Sequence, residues 1–223
     1  MHHTIEKLNF VKNKVKEIID GKQLKTFPKI IAVSKTFPIT KIIPLLDAGH
    51  IHFGENKLQE AEIKWQGTKS KYKNLQLHML GKVQSNKAKK AVQLFDFIHS
   101  LDSKKLAKKI SQYEEELKKK IKLFIQINLG DEDQKSGISI NDLSSFHNYC
   151  VNELSLNIIG LMCLPPLNTD STKYFEILNN AAKKFNLQDL SMGMSSDYSQ
   201  AVLSGSTYLR LGTLIFGKRN SPY

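Results

Sequence analysis

Lys35 stands one serine beyond an unbroken apolar run, Ile30-Ile31-Ala32-Val33. An amine emerging from such a strand is partly desolvated, which lowers its pKa and frees it to attack a carbonyl. Two later segments suit an anion. Ser191-Met192-Gly193-Met194-Ser195-Ser196-Asp197 and Tyr208-Leu209-Arg210-Leu211-Gly212-Thr213 each read as a short strand, a glycine and then hydroxyls at a helix start. Gly212 lets the backbone come close to a ligand, and Thr213 offers a hydroxyl and an amide in the first helical turn, a setting that binds phosphate groups. Each segment alone also reads as ordinary helix capping by Ser, Thr and Asp; two of them facing one lysine make the stronger case. Arg210 points inward if Leu209 and Leu211 face the helices. A core guanidinium must pair with a ligand or an acid, and it is the kind of group that partners a pyridine nitrogen.

The remaining candidates carry less. His50 and His52, two apart on a strand, lack a third ligand at a metal-binding spacing and read as structural. His78, before Gly81 at a strand end, reads either as a core histidine or as a wall of the site. Met162, Met192 and Met194 read as core packing. The run Lys118-Lys119-Lys120 reads as a solvated helix end favourable to the helix dipole. No metal site is expected.

These residues must be positioned by something, and the chain alternates short β-branched runs with stretches of helical period. An opening amphipathic helix (Leu8, Val11, Val15, Ile18) can end at Gly21. Strands follow at Lys29–Ser34, Ile51–Phe53, Leu75–Leu80, Phe97–Leu101, Leu123–Leu129, Leu156–Cys163, Leu190–Met192 and Tyr208–Leu211. Between them lie helices: one capped by Thr40 with Ile43 and Leu46, one presenting Leu58, Ala61 and Trp65, one with Ala88, Val92 and Phe95. Later come one capped by Ser103, one opened by Asn141 or Asp142, one with Phe175, Leu178, Ala182 and Phe185, and one through Ala201, Val202 and Leu203. A last helix starts at Thr213. About eight strand–helix units after one extra helix is the count of a single (β/α)8 TIM barrel over residues 1–223, with an open doubly wound sheet as the runner-up. In a barrel, Lys35, Asn56, Gly81, Ser195 and Gly212 share one mouth.

Composition narrows the function. The chain of 223 residues is 40% hydrophobic and 24% charged, ordinary for a globular protein. No apolar stretch reaches the ~18 residues of a membrane span, and no signal-peptide core follows Met1. Cys150 and Cys163 stand apart, which fits a reducing cytoplasm better than a disulfide. The net charge of +12 invites a nucleic-acid or membrane-surface partner, yet only Arg210 and Arg219 among the 33 basic residues are arginines. Base-edge readout leans on the planar guanidinium, and the lysines are scattered and interleaved with acids, so a solvated lysine-rich surface is the plainer reading.

The motifs together go further than any one of them. Ala32-Val33-Ser34-Lys35, Phe53-Gly54-Glu55-Asn56 with Gln59-Glu60, His78 to Gly81 with Gln84-Ser85-Asn86-Lys87, Gln126-Ile127-Asn128 with Lys135-Ser136-Gly137, Gly160-Leu161-Met162 with Pro165, the Ser191–Asp197 segment, and Arg210-Leu211-Gly212-Thr213 with Ile215-Phe216-Gly217 occur in order. The set resembles the pyridoxal phosphate (PLP) homeostasis proteins, the YggS/PROSC family, from Ile30 to Arg219. The resemblance implies a barrel like the N-terminal domain of alanine racemase, with PLP as an internal aldimine on Lys35 and Arg210 facing the pyridine nitrogen. It places the phosphate at Ser195, Gly212, Thr213 and the backbone around Met194, and Asn56 against the cofactor. Lys57-Leu58 and Lys82-Val83 depart from the family's usual neighbours at surface or wall positions.

The expected function is therefore a PLP-binding carrier or regulator in intracellular vitamin B6 homeostasis, cytoplasmic and monomeric, with PLP-dependent apo-enzymes as recipients and no residue assigned a catalytic role. A guanidinium beside the ring nitrogen disfavours its protonation and weakens the electron sink that carbanion chemistry needs. The alternative is a PLP-dependent amino-acid racemase, whose second acid/base comes from an appended β domain; the chain ends at Tyr223 directly after the eighth unit, so that domain is expected to be absent.

Overall fold

Eight strands buried on both faces and joined by helices have one closed solution, and the computed structural model shows it. It describes residues 2–130, 136–166 and 169–218; the motif residue Lys135 and the second arginine, Arg219, lie outside them. The strands are β1 (Lys29–Val33), β2 (His52–Glu55), β3 (Gln76–Met79), β4 (Phe97–Leu101), β5 (Lys122–Asn128), β6 (Ile138–Ser139), β7 (Ile158–Cys163), β8 (Asp189–Ser191) and β9 (Tyr208–Leu211). All pairings are parallel. The order β4-β3-β2-β1-β9-β8-β7-β5 is closed by β4 on β5, and the two-residue β6 extends the edge of β5 outside the closed ring. The runner-up, an open sheet, is thereby excluded.

The helices are α1 (His3–Gly21), α2 (Ile39–Asp47), α3 (Leu58–Trp65), α4 (Ala88–Leu94), α5 (Lys104–Glu116), α6 (Leu143–Asn148), α7 (Thr172–Lys184), α8 (Tyr198–Leu203) and α9 (Thr213–Phe216). The extra helix α1 packs on α2, α8 and α9, burying Leu8, Val11, Val15 and Ile19. Each buried aliphatic side chain of this kind contributes about 1.5–3 kcal/mol. Among the described residues, no helix is long and apolar enough to cross a membrane.

Strand alternation divides the apolar side chains into two bodies. One lies between strands and helices and includes Ile30, Ala32, Leu77, Leu161, Leu209 and Leu211. The other lies inside the barrel: Ile31, Val33, Leu80, Phe97, Phe124, Met162 and Tyr208. Gly54 faces this lumen, where a Cβ would meet the Leu80 and Ile31 side chains at 2.6 and 2.8 Å.

Two expectations are corrected and one is extended. Pro38, not Thr40, precedes the second helix; the earlier start buries Ile42, Leu45 and Leu46 and leaves Ile43 exposed. Asp142 directly precedes α6, as expected, and a 3₁₀ turn (Ile140–Asp142) leads into it, capped by Ser139, whose Oγ accepts from the Asn141 amide at 3.2 Å. The lysine run after α5 is not simply solvated. Lys119 Nζ folds onto the carbonyl oxygens of Phe95 and Gln93 at 2.8 and 3.0 Å, where burial pulls its pKa down to about 8.

Candidate functional site

The C-terminal ends of the strands surround a cavity of about 340 Å³. All seven residues singled out in the sequence line it: Lys35, Asn56, Met194, Ser195, Arg210, Gly212 and Thr213. Val33, Leu80, Met162, Leu164 and Phe37 form its apolar wall. Gly81, expected at the same mouth, lines a neighbouring cavity of about 310 Å³ with Asn56, Lys82, Gln126 and Asn128. A Cβ on Gly81 would lie 2.1 Å from the Asn56 carbonyl oxygen, so glycine is what lets the loops after β2 and β3 touch and fix Asn56.

The turn that carries Lys35 is held on both sides. Before it, Ser34 donates from Oγ to Glu55 Oε1 at 2.7 Å, and the Ser34 carbonyl accepts from Lys64 Nζ at 2.8 Å. After it, Thr36 is in the left-handed region (φ 68°), and its amide donates to Glu60 Oε1 at 2.6 Å. Lys64 ties the two halves together, reaching Glu55 at 2.9 Å and Glu60 at 2.7 Å. Trp65 Nε1 adds a third donor to Glu55 Oε1. Glu55 Oε2 is buried with no partner among the described residues, and burial raises the Glu55 pKa above the usual carboxylate range against the pull of Lys64. Glu55, Glu60 and Lys64 were not assigned a role from the sequence. The i,i+4 spacing of Glu60 and Lys64 was the available signal.

Arg210 is 5% exposed. Its Nη1 donates to Ser191 Oγ at 2.7 Å and its Nη2 to the Cys163 carbonyl at 2.9 Å. Of the ligand or acid expected as its partner, no acid accepts from it among the described residues: both acceptors are neutral. Burial lowers its pKa from the usual value, yet a guanidinium starts so high that it stays charged. A buried cation with two neutral partners keeps further N–H donors for whatever enters the cavity.

The loop after β8 is fixed by Asp197, whose carboxylate accepts from the Met194 amide at 2.6 Å and from Ser171 Oγ at 3.0 Å. The Met194 amide, expected among the anion donors, is therefore engaged within the protein, and Met194 itself lies half-buried at the cavity rather than in the core. Gly193 (φ 90°) permits the turn; a Cβ there would stand 2.5 Å from that of Ala201. Ser195 and Ser196 line the cavity from the loop after β8, and Gly212 and Thr213, opening α9, from the loop after the neighbouring β9. Amides in a first helical turn have no intrahelical acceptor.

His78 is a core histidine: it is fully buried in the lumen and does not line the cavity. Cys150 and Cys163 are free and buried, with burial pushing both thiols up to about 12. Among the described residues there is no cluster fit for a metal ion.

This arrangement suits a small planar ligand with a carbonyl for the lysine, an anionic group for the two hydroxyl-bearing loops and a ring against the apolar wall. Comparison with known proteins gives the same direction. Residues 14–220 match the family described as the alanine racemase N-terminal domain. A protein of Pasteurella multocida named pyridoxal phosphate homeostasis protein is 38% identical over 202 residues, spanning 86% of this chain and 87% of that one. PipY of Synechococcus elongatus, solved with PLP bound, is 36% identical with a TM-score of 0.79, covering 91% of this chain and all of that one. An alanine racemase of Clostridium difficile shares the fold at 15% identity and a TM-score of 0.70, over 97% of this chain and 58% of that one.

Proposed function

The chain belongs to the alanine racemase N-terminal domain family, and from that premise we propose that it binds PLP at Lys35 and serves PLP homeostasis, as its relatives are named for doing. The observation that carries the reading is the convergence of Lys35, Arg210 and two hydroxyl-bearing loops on one cavity from segments far apart in sequence. The donor set fits the cofactor: one primary amine, one guanidinium with N–H groups to spare, hydroxyls at helix starts, and an apolar wall. When bound, PLP supplies an electrophilic aldehyde, a phosphate and a pyridine ring.

The protein's own residues divide the work. The Ser34–Thr36 turn, tied to Glu55, Lys64 and Glu60, presents the Lys35 amine. Ser195, Gly212 and Thr213 bind the phosphate through hydroxyls and first-turn amides. Val33, Leu80 and Met162 exclude water from a ring face, and Asn56 borders it. Arg210, with N–H donors to spare, would face the ring nitrogen and, remaining cationic, would disfavour its protonation. This disfavours carbanion chemistry and favours holding the aldehyde over turning substrate over. The likeness to alanine racemase supports the shared fold alone and does not favour the racemase reading. PLP-dependent apo-enzymes as recipients, a monomer as the working unit and a reducing cytoplasm as its place belong to the same proposal. Both thiols are free.

Titration with PLP, followed by visible absorbance, tests this. Wild type is expected to develop a saturable long-wavelength band that Lys35→Ala does not. The same band at the same affinity in Lys35→Ala would overturn it.

A further inference from the structure

Beneath the cavity, three imidazoles cross the lumen as one hydrogen-bonded file. His52 Nδ1 lies 3.0 Å from His78 Nε2, His78 Nδ1 lies 2.9 Å from His99 Nε2, and His99 Nδ1 lies 2.8 Å from Ser191 Oγ. The same Ser191 Oγ accepts from Arg210 at 2.7 Å. His78 stacks on Phe97 and His99 on Phe124, each at 4.2 Å, so neither ring can turn freely. His52 is half-buried at the start of β2, the opposite end of the barrel from the cavity.

Donor and acceptor counting gives this file a direction. A guanidinium can only donate, so one Ser191 lone pair is taken by Arg210. If His99 also donated from Nδ1, the Ser191 proton would need another acceptor, and among the described residues Ser191 Oγ has none. A buried hydroxyl proton left unpaired is unfavourable by roughly 1–3 kcal/mol. Ser191 therefore donates to His99 Nδ1. His99 then donates from Nε2 to His78 Nδ1, and His78 from Nε2 to His52 Nδ1. The direction holds only while all three rings are neutral. Burial pushes His78 and His99 well below the ordinary histidine value and His52 down to about 4. The charged groups facing the file, Lys29 and Lys122 near His52 and Arg210 near His99, oppose a further proton, and His50 adds to this at His78.

We propose that His52, His78, His99 and Ser191 form a relay of fixed direction that keeps a Ser191 lone pair on Arg210 and so aims the guanidinium into the cofactor cavity. They are positioning residues: Ser191 acts on Arg210 directly, His99 through Ser191, His78 through His99. The consequence for the cofactor rests on the PLP reading above; the direction of the relay does not.

Nitrogen NMR of histidine-labelled protein without cofactor reads the direction. His78 and His99 are expected to carry the proton on Nε2, with Nδ1 unprotonated, from pH 6 to 8. PLP titration of Ser191→Ala, His99→Phe and His78→Phe reads the coupling, since phenylalanine keeps the stacking and volume but deletes the hydrogen bonds. The expected losses of affinity are about tenfold for Ser191→Ala and smaller in turn for His99→Phe and His78→Phe, each with a displaced absorption band, and Ser191→Thr restores the band. A proton on Nδ1 of His78 or His99 overturns the relay, and needs no variant to fold. The expected tautomers with wild-type affinity and band in Ser191→Ala and His99→Phe overturn the positioning role. A wild type that binds no PLP overturns the reading of the site, and the tautomers then still decide the direction of the relay.

Discussion

Along β9, Leu209 and Leu211 face the helices while Tyr208 and Arg210 face the lumen; along β4, Ile98 faces out while Phe97 and His99 face in. The outer layer is apolar, aliphatic side chains with rings such as Phe53, Trp65, Phe95 and Phe175 among them, and asks of most positions only apolar volume at the right period. The lumen mixes aromatic rings with three imidazoles, a serine and a guanidinium, all buried except the half-buried His52. Barrel interiors are usually filled by layers of branched aliphatic residues. Here polar groups replace part of that filling, and each needs a specific partner because an unpaired polar group in such surroundings is strongly unfavourable. The outer layer thus holds the barrel closed, and the lumen sets the direction of groups at its mouth.

Acid should break the lumen first. Histidines with folded pKa values below the unfolded value of about 6.5 leave the unfolded chain binding more protons in acid, so their contribution is complete above that pH. It is lost as pH falls from there toward each folded value, about 4 for His52 and well below the ordinary histidine value for the fully buried His78 and His99. From pH 7 to 5 His52 is expected to subtract about 1–2 kcal/mol, with His78 and His99 adding in the same direction. Denaturant midpoints measured across that range check this, and His52→Phe should flatten the slope by about 1.4 kcal/mol per pH unit.

The opposite experiment strikes the outer layer. Leu178 on α7 is fully buried between helix and strands. Leu178→Ala should lower stability by about 2–4 kcal/mol at every pH, with the PLP affinity of the folded protein unchanged. Loss of affinity without loss of stability would erase the distinction between the two regions.

Arg210→Lys is the smallest and sharpest test. It keeps the charge and loses the planar fork that reaches Ser191 and Cys163 together. PLP affinity should fall by about 1–2 kcal/mol, the size of one charge-assisted hydrogen bond, whereas a guanidinium serving only as a charge would leave it unchanged. Equilibrium titration by absorbance separates the two.

The same contrast explains what the sequence could reveal. The strands at Phe97–Leu101 and Tyr208–Leu211 are legible to the residue, because each is a short, mostly apolar run set between stretches of helical period, even with His99, Ser100 or Arg210 inside it. Lys35, Ser195, Arg210, Gly212 and Thr213 are legible because chemistry gathers at strand ends in a barrel, whereas the roles of Asn56 and Met194 came with the family resemblance. Which way His78 points was not legible, since both faces of its strand are buried. The relay was hidden for a related reason: His99 and Ser191 are 92 residues apart and meet only through barrel closure. The start of α2 was misread because Thr40 resembles a cap, while Pro38 with its fixed φ opens the helix before it.

The central claim is that Lys35, out of 31 lysines, is the one that holds the cofactor. Borohydride reduction of the PLP-loaded protein, followed by proteolysis and mass spectrometry, addresses it directly. The account predicts one dominant pyridoxyl adduct, on the peptide containing Lys35, at one equivalent of PLP. An adduct spread over surface lysines, or dominant at another lysine, would contradict it.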